Sequence, residues 1–116
     1  MMTAGIDIHL DELPDDHVLV TVAGDVDVTT VARLREALHV LYEKRLQRLV
    51  LDLSAVTTAD VTLLATLVAA RRAAASRGCS LVLRAPSRPV SGLLTGASLT
   101  SVFRIVPACP PLAVRV

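Results

Sequence analysis

A chain of 116 residues can build one hydrophobic core but not two, so the sequence predicts a single domain over residues 1–116. Although 53% of the residues are apolar, only Tyr42 and Phe103 are aromatic, which leaves almost nothing on which nucleic-acid bases could stack. The formal net charge is +1, and the later arginines are not interleaved with aromatic residues, so no nucleic-acid partner is predicted.

The charges are unevenly distributed along the chain. All eleven acidic residues lie at or before Asp60, and seven arginines with no acidic residue follow it. Residues 1–60 carry five basic and eleven acidic groups, which gives −6, and residues 61–116 carry +7. We favour pairing of these charges within a fold that interleaves the two halves, and the alternative is an acidic edge that steers a basic partner.

The start of the chain shows no basic region followed by an apolar run, so no signal peptide is predicted and we expect a cytoplasmic protein. The most apolar segment, residues 61–70, is too short to cross a bilayer and is followed by two arginines, so no membrane insertion is expected. Cys79 and Cys109 are isolated, with no histidine at ligand spacing, and are predicted to be free thiols.

Two strands with period-two alternation come first in the chain. Apolar and polar residues alternate over residues 6–10, as in an edge strand, and β-branched residues alternate over 18–23 in a strand that ends at Gly24. Because residues 13–16 form a cluster of turn residues, these two strands are predicted to make a hairpin.

A first helix is predicted over residues 29–44, with Asp27 or Thr29 available as its N-cap. Its apolar residues recur at helical spacing, at Val31, Leu34, Leu38, Leu41 and Tyr42. Residues 48–53 are then almost continuously apolar, which is typical of a central strand covered on both faces, and residues 54–59 are predicted to be a loop.

A second long helix is predicted to begin after an Asp60 cap and to end at Gly78. Its buried stripe is predicted to contain Leu63, Leu64, Leu67 and Val68. A buried strand over 80–84, a short helix within 86–94 and a final strand over 102–106 follow.

The order of these elements predicts an α/β domain. Alternation of strand and helix after an initial hairpin requires a mixed sheet of about five strands, with two long helices and one short helix packed against it. The prolines of residues 107–116 predict a loose C-terminal tail.

Three segments in this order resemble the STAS domain of bacterial anti-sigma factor antagonists. Residues 18–38, VLVTVAGDVDVTTVARLREAL, are similar to that family's strand, Gly-Glu/Asp-x-Asp loop and helix. Residues 49–67, LVLDLSAVTTADVTLLATL, are similar to its apolar strand, Asp-Leu-Ser-x-Val-x-x-x-Asp-Ser-Ser/Thr-Gly-Leu motif and helix. Residues 78–105 match its Gly-x-x-Leu strand, short helix and closing strand. The resemblance therefore covers nearly the whole chain.

The resemblance implies a phosphorylation switch. In that family an anti-sigma factor with serine kinase activity phosphorylates the serine that follows the aspartate, and the unphosphorylated form sequesters the kinase and releases a sigma factor. In this chain the aspartate is Asp60, the phosphoacceptor position is Val61, which has no hydroxyl, and the next position is Thr62. The family's usual glycine is Leu63. The residues that depart from the pattern are thus those on which the switch depends.

Two alternatives remain open for each polar residue of this region. Thr62 could accept phosphate instead, but one helical position turns a side chain by roughly 100°, so we favour a hydroxyl that bonds backbone or water. The resemblance places Asp25 and Asp27 on the kinase-facing surface. For Asp27, a role as helix cap and a role in partner contact are equally good explanations. Asp25 has no such local role and is the stronger candidate for partner contact.

The sequence shows no sign of catalysis. The three histidines are scattered without a nucleophilic partner, and no glycine-rich phosphate loop follows a strand. No enzyme activity, metal or cofactor is therefore predicted.

Our first hypothesis is a non-catalytic, anti-sigma factor antagonist-like module that docks to an anti-sigma factor of the serine kinase type through Asp25, Asp27, Asp60, Val61 and Thr62, and so controls transcription. A second hypothesis is a STAS subunit with a structural role beside a lipid-trafficking transporter ATPase, or in a larger signalling assembly. A third is a small-ligand sensor with an apolar pocket between helix and sheet. Homodimers could form through an exposed apolar helix face or the edge strand.

Overall fold

The structure, a computed structural model, describes residues 5–108. Five strands form one sheet, and three helices connect the last four of them. In chain order the elements are β1 (Ile6–Leu13), β2 (His17–Val26), α1 (Val31–Tyr42), β3 (Arg48–Ala59), α2 (Val61–Ser76), β4 (Ser80–Arg84), α3 (Arg88–Gly96) and β5 (Arg104–Val106). The predicted α/β class, with two long helices and one short one, is confirmed.

The strands lie in the sheet in the same order as in the sequence. β1 pairs with β2 in antiparallel fashion, and β2, β3, β4 and β5 are parallel to their neighbours. Right-handed crossovers that all step in one direction place their helices on one face of the sheet. Accordingly α1 contacts α2, and α2 contacts α3.

The core lies between this helical layer and one face of the sheet. Alternate residues of the three central strands are buried there, and they are mainly valine and leucine: Val18, Val20, Val22, Leu49, Leu51, Leu53, Leu81 and Leu83. The prediction that the central strand is covered on both faces was wrong for β3, because Val50, on the opposite face, is only half-buried. Burial of aliphatic side chains on a single face is thus what drives assembly of the sheet.

β2 and β3 are longer than the sequence predicted. β3 continues to Ala59, and the residues predicted as the loop 54–59 pair with the end of β2. The pairing of β2 with β3 continues across two register shifts, between Thr21 and Ala23 and between Gly24 and Asp25. Such irregularities allow polar, turn-forming residues to remain within a strand, which period-two alternation cannot predict.

The ends of the helices differ in how well the sequence predicted them. α1 begins at Val31, and Thr30 before it makes no side-chain capping bond. The predicted Asp27 instead accepts the N–H of Thr29 on its side chain and the N–H of Val31 on its carbonyl, as a capping residue does. For α2 the predicted Asp60 cap is confirmed, and Gly78 has a φ of 71°, as expected for the residue after a helix end. Cys109 and most of the predicted tail lie outside the described residues.

Within residues 5–108 a single ion pair joins the acidic first half of the chain to the basic second half. Arg84 Nε lies 3.3 Å from Asp52 Oδ2, on the face of the sheet opposite the helices. Asp52 also accepts hydrogen bonds from the backbone N–H and the hydroxyl of Ser54. The other carboxylates and arginines among these described residues are therefore not neutralised by direct pairing between the halves.

Candidate functional site

The candidate site lies where the carboxyl ends of β2 and β3 meet. Asp25 and Val26 pair with Thr58 and Ala59, and the backbone N–H of Asp60 donates to the Val26 carbonyl at 3.2 Å. Because these parallel strands end side by side, the loop before α1 and the start of α2 share one edge of the sheet. We call this region the acidic edge; it comprises Asp25, Asp27, Asp60, Val61 and Thr62.

The Asp25 carboxylate is held by two hydroxyls of the neighbouring strand. Its Oδ1 accepts hydrogen bonds from Thr57 Oγ1 at 2.7 Å and from Thr58 Oγ1 at 2.8 Å. These bonds favour the ionised form and lower the pKa of Asp25, chiefly through Thr57, although the nearby negative charge of Asp27 acts in the opposite direction. Asp25 has no partner close in the sequence, as predicted, but its carboxylate links β2 to β3.

Asp27 organises the loop that leads into α1. Its Oδ1 accepts from the hydroxyl of Thr29 at 2.5 Å and from the backbone N–H of the same residue at 2.8 Å. The hydroxyl bond is the main cause of the lowered pKa of Asp27. The backbone N–H of Asp27 in turn donates to Thr30 Oγ1, and that hydroxyl donates to the carbonyl of Asp25. Asp27 thus closes a turn that ends at Thr29, two residues before α1 begins.

Asp60 caps α2 with its side chain. Its Oδ1 accepts a hydrogen bond from the backbone N–H of Thr62 at 2.9 Å and a second one from the Thr62 hydroxyl. The prediction that this hydroxyl bonds backbone or water was wrong, because it donates to the capping carboxylate instead. A half-buried hydroxyl engaged in this way is not presented to solvent as a free nucleophile.

Val61 is the exposed member of the acidic edge. It stands at the first position of α2 with 68% of its surface exposed, and Val28, in the loop after β2, is 72% exposed. Exposed valines contribute little to the hydrophobic stabilisation of the fold. Val61 follows the Asp60 carboxylate directly in the chain, so an apolar and a charged group are both available to a partner at this position.

The structure brings all five predicted site residues to one edge and leaves Asp25, Asp27, Asp60 and Thr62 half-buried. Sequence reasoning missed the hydroxyls of Thr57 and Thr58, which were assigned to a loop. The two consecutive threonines could have indicated that this segment is a strand, since β-branched residues favour strands.

A scan against protein families matches residues 9–107 to a model described as "Mlab, STAS domain". The chain belongs to the STAS domain family. The comparison with curated proteins gave no match.

Solved structures of anti-sigma factor antagonists share the fold of this STAS domain. One from Mycobacterium paratuberculosis is 24% identical, with a TM-score of 0.76 over 92% of this chain and 90% of its own. SpoIIAA of Bacillus in its unphosphorylated form is 14% identical, with a TM-score of 0.78 over 92% of each chain. A putative antagonist from Thermotoga maritima is 17% identical, with a TM-score of 0.77 over 91% of each chain. At these identities the likeness establishes the fold.

Two further observations concern the helices and one interior cavity. In the part of the chain that the structure describes, no helix is both long and apolar enough to span a bilayer. An apolar cavity lined by residues such as Leu41, Leu49 and Cys79 has a volume of about 10 Å³, room for about one water molecule. That space is too small for the ligand of a small-molecule sensor.

Proposed function

We propose that this STAS domain is a non-catalytic, anti-sigma factor antagonist-like module of the bacterial cytoplasm. It docks through the acidic edge to an anti-sigma factor of the serine kinase type, and so controls transcription that depends on a sigma factor. The observation that carries the proposal is the convergence of Asp25 and Asp60 at the start of α2, beside an exposed Val61.

The surface chemistry supports a protein partner with basic groups around an apolar contact. The hydroxyls that hold Asp25 and Asp27 fix both carboxylates in orientation and keep them ionised. Charges that are already oriented lose little side-chain entropy when a partner binds. Arginine or lysine side chains around a small apolar contact would therefore complement this edge.

Val61 stands where the family has the serine whose phosphorylation controls docking. A phosphate at this position would add negative charge beside Asp60 and repel the docked partner, but valine has no hydroxyl to accept it. Phosphate on Thr62 would place a second anion against the Asp60 carboxylate and break the cap of α2. Docking is therefore not regulated by phosphate at position 61.

The test of docking is calorimetric titration of the full chain with each serine-kinase-type anti-sigma factor of its source organism. We expect one of them to bind, and we expect Asp25→Asn to weaken that complex about tenfold by removing an oriented charge. The matched control is Asp11→Asn, which removes an exposed carboxylate roughly 17 Å or more along the hairpin and is expected to bind normally. Absence of any complex contradicts the docking proposal.

The test of phosphate control uses the same partner with ATP. We expect no phosphate on the wild-type chain by mass spectrometry and stoichiometric phosphate on Val61→Ser, which restores the hydroxyl. Phosphorylated Val61→Ser is expected to lose the partner. Phosphate on Thr62 of the wild-type chain would contradict the loss of the switch without affecting the docking result.

A second candidate function is a structural subunit beside a transporter ATPase or in a larger signalling assembly. The family model that matches the chain carries the name Mlab rather than that of an antagonist, and a subunit without a switch does not need a hydroxyl at position 61. Co-purification of the tagged chain from its source organism with an ATPase, in place of a kinase-type anti-sigma factor, would favour this candidate.

A further inference from the structure

α2 has an outward face that the fold covers only in part. Its core-facing side is buried through Leu63, Leu67, Ala70 and Ala74. On the other side an open groove of about 580 Å³ is lined by residues at intervals of three and four: Val61, Leu64, Ala65, Val68, Ala69 and Arg72. We call these six residues the outer stripe. Residues at that spacing share one side of a helix. Leu64 is buried and Val68 is half-buried against the core, so the apolar surface that α2 presents to solvent here consists of Val61, Ala65 and Ala69.

The outer stripe is shaped for close approach of another helix. Ala65 and Ala69 are exposed at its centre and have side chains of one carbon, which lets a second helix axis come to within about 8 Å. Val61 lies about one turn before Ala65, and the half-buried Val68 lies between the two alanines along the helix. From position 61 to position 72 the stripe is roughly 16 Å long, or three turns of helix.

Charges of opposite sign mark the two ends of the outer stripe. Asp60 lies at the start of α2 beside the other carboxylates of the acidic edge, whereas Arg71 and Arg72 are exposed near its end. Within residues 5–108 neither guanidinium forms an ion pair or a side-chain hydrogen bond. The surface is therefore acidic at one end, apolar in the middle and basic at the other.

We infer that the occupant of this face is a second copy of the chain, whose α2 packs antiparallel on the first. A two-fold axis near positions 66 and 67 sets Asp60 of each copy opposite Arg72 of the other and brings the alanines and Val68 together in the middle. The parallel arrangement would instead place aspartate against aspartate and arginine against arginine. Antiparallel helix dipoles favour the same choice.

The dimer is small and hence reversible. One helical face on each copy buries less area than stable interfaces do, so the monomer and the dimer exchange with protein concentration. Because Asp60 and Val61 lie inside this contact, a dimer covers the start of α2. The inference does not rest on the proposed function, since it concerns only the self-complementarity of this face.

Sedimentation equilibrium of the full chain over a range of concentrations tests the inference. We expect a mixture of monomer and dimer in dilute salt and a weaker dimer at high salt, because the pairs at the two ends are screened. Ala69→Glu places a carboxylate in the centre of the stripe and is expected to raise the dissociation constant at least about tenfold.

Val40→Glu is the matched control, since Val40 is 61% exposed on α1 and lies outside the stripe. It is expected to dimerise like the wild type, and circular dichroism checks that both variants are folded. A chain that is monomeric at every concentration overturns the inference. A dimer that survives Ala69→Glu, or that Val40→Glu weakens equally, overturns it as well.

Discussion

Asp60 ends the connection from β3 and begins α2. Its backbone N–H is bonded to β2 and its carboxylate to Thr62, so one residue fixes both the position and the direction of the helix. The side chain of the next residue, Val61, gains little hydrophobic stabilisation, since most of its surface remains exposed to water. At this scale the cap that begins α2 is intact, and position 61, which the family resemblance assigns to the phosphoacceptor, is a valine.

Replacement of Asp60 by alanine is expected to lower the free energy of unfolding by about 1 kcal/mol, because the N–H of Thr62 loses its acceptor. Asp60→Asn keeps an oxygen at the same position and is expected to lose much less. Urea denaturation of the two variants measures the difference. Equal losses would contradict a capping role for this side chain.

The hairpin of β1 and β2 depends on one glycine. Gly24 has a φ of 101°, and a Cβ built there would stand 2.1 Å from the carbonyl oxygen of Gly5. Only glycine permits this close approach, at the point where the register of β2 and β3 shifts. The shift turns the end of β2 so that Asp25 reaches Thr57 and Thr58.

Gly24→Ala is therefore expected to destabilise the domain by at least about 2 kcal/mol, through strain and a backbone clash. The matched control is Gly92→Ala in α3, where an added Cβ meets nothing within 4 Å. That change is expected to stabilise the helix by about 0.5–1 kcal/mol. Thermal unfolding followed by circular dichroism compares them, and a Gly24→Ala variant as stable as the wild type would show that this account of β2 is wrong.

At the scale of the whole molecule the charges of the two halves remain largely unpaired. Asp52 and Arg84 form the one ion pair between the halves in the described part of the chain, and hydroxyl donors lower the pKa of Asp25 and of Asp27. The expectation that the halves neutralise each other was wrong beyond that pair. The charge separation instead remains at the surface, where it can act on other molecules.

The stability of the whole domain is expected to depend on pH through these donors. Since the pKa of Asp25 is lowered in the folded state, Asp25 contributes stability above its ordinary pKa, and this contribution is lost as the pH falls through the folded value. A variant with both Thr57→Val and Thr58→Val is expected to lose that contribution at neutral pH. Urea denaturation should therefore show a larger difference from the wild type at neutral pH than at about pH 2. A difference independent of pH would contradict the role of the two hydroxyls.

The sequence by itself determined the α/β class, the order of the elements and the capping of α2 by Asp60. Each of these follows from local signals, such as hydrophobic period, cap residues and motif spacing, that act over a few neighbouring positions. Family resemblance added the meaning of position 61, which periodicity alone does not carry.

Only the tertiary structure decided the length of β3, the partners of Asp25, the partner of the Thr62 hydroxyl and the empty outer face of α2. The residues of 54–59 become a strand because β2 offers them backbone partners, and those partners lie more than 30 positions away in the sequence. Likewise, the sequence predicted that Leu63, Leu64 and Leu67 of α2 are buried, which is confirmed, but only the packing shows that Ala65 and Ala69 stay uncovered. Contacts between distant segments settle both questions, because burial depends on what packs against a surface as well as on the surface itself.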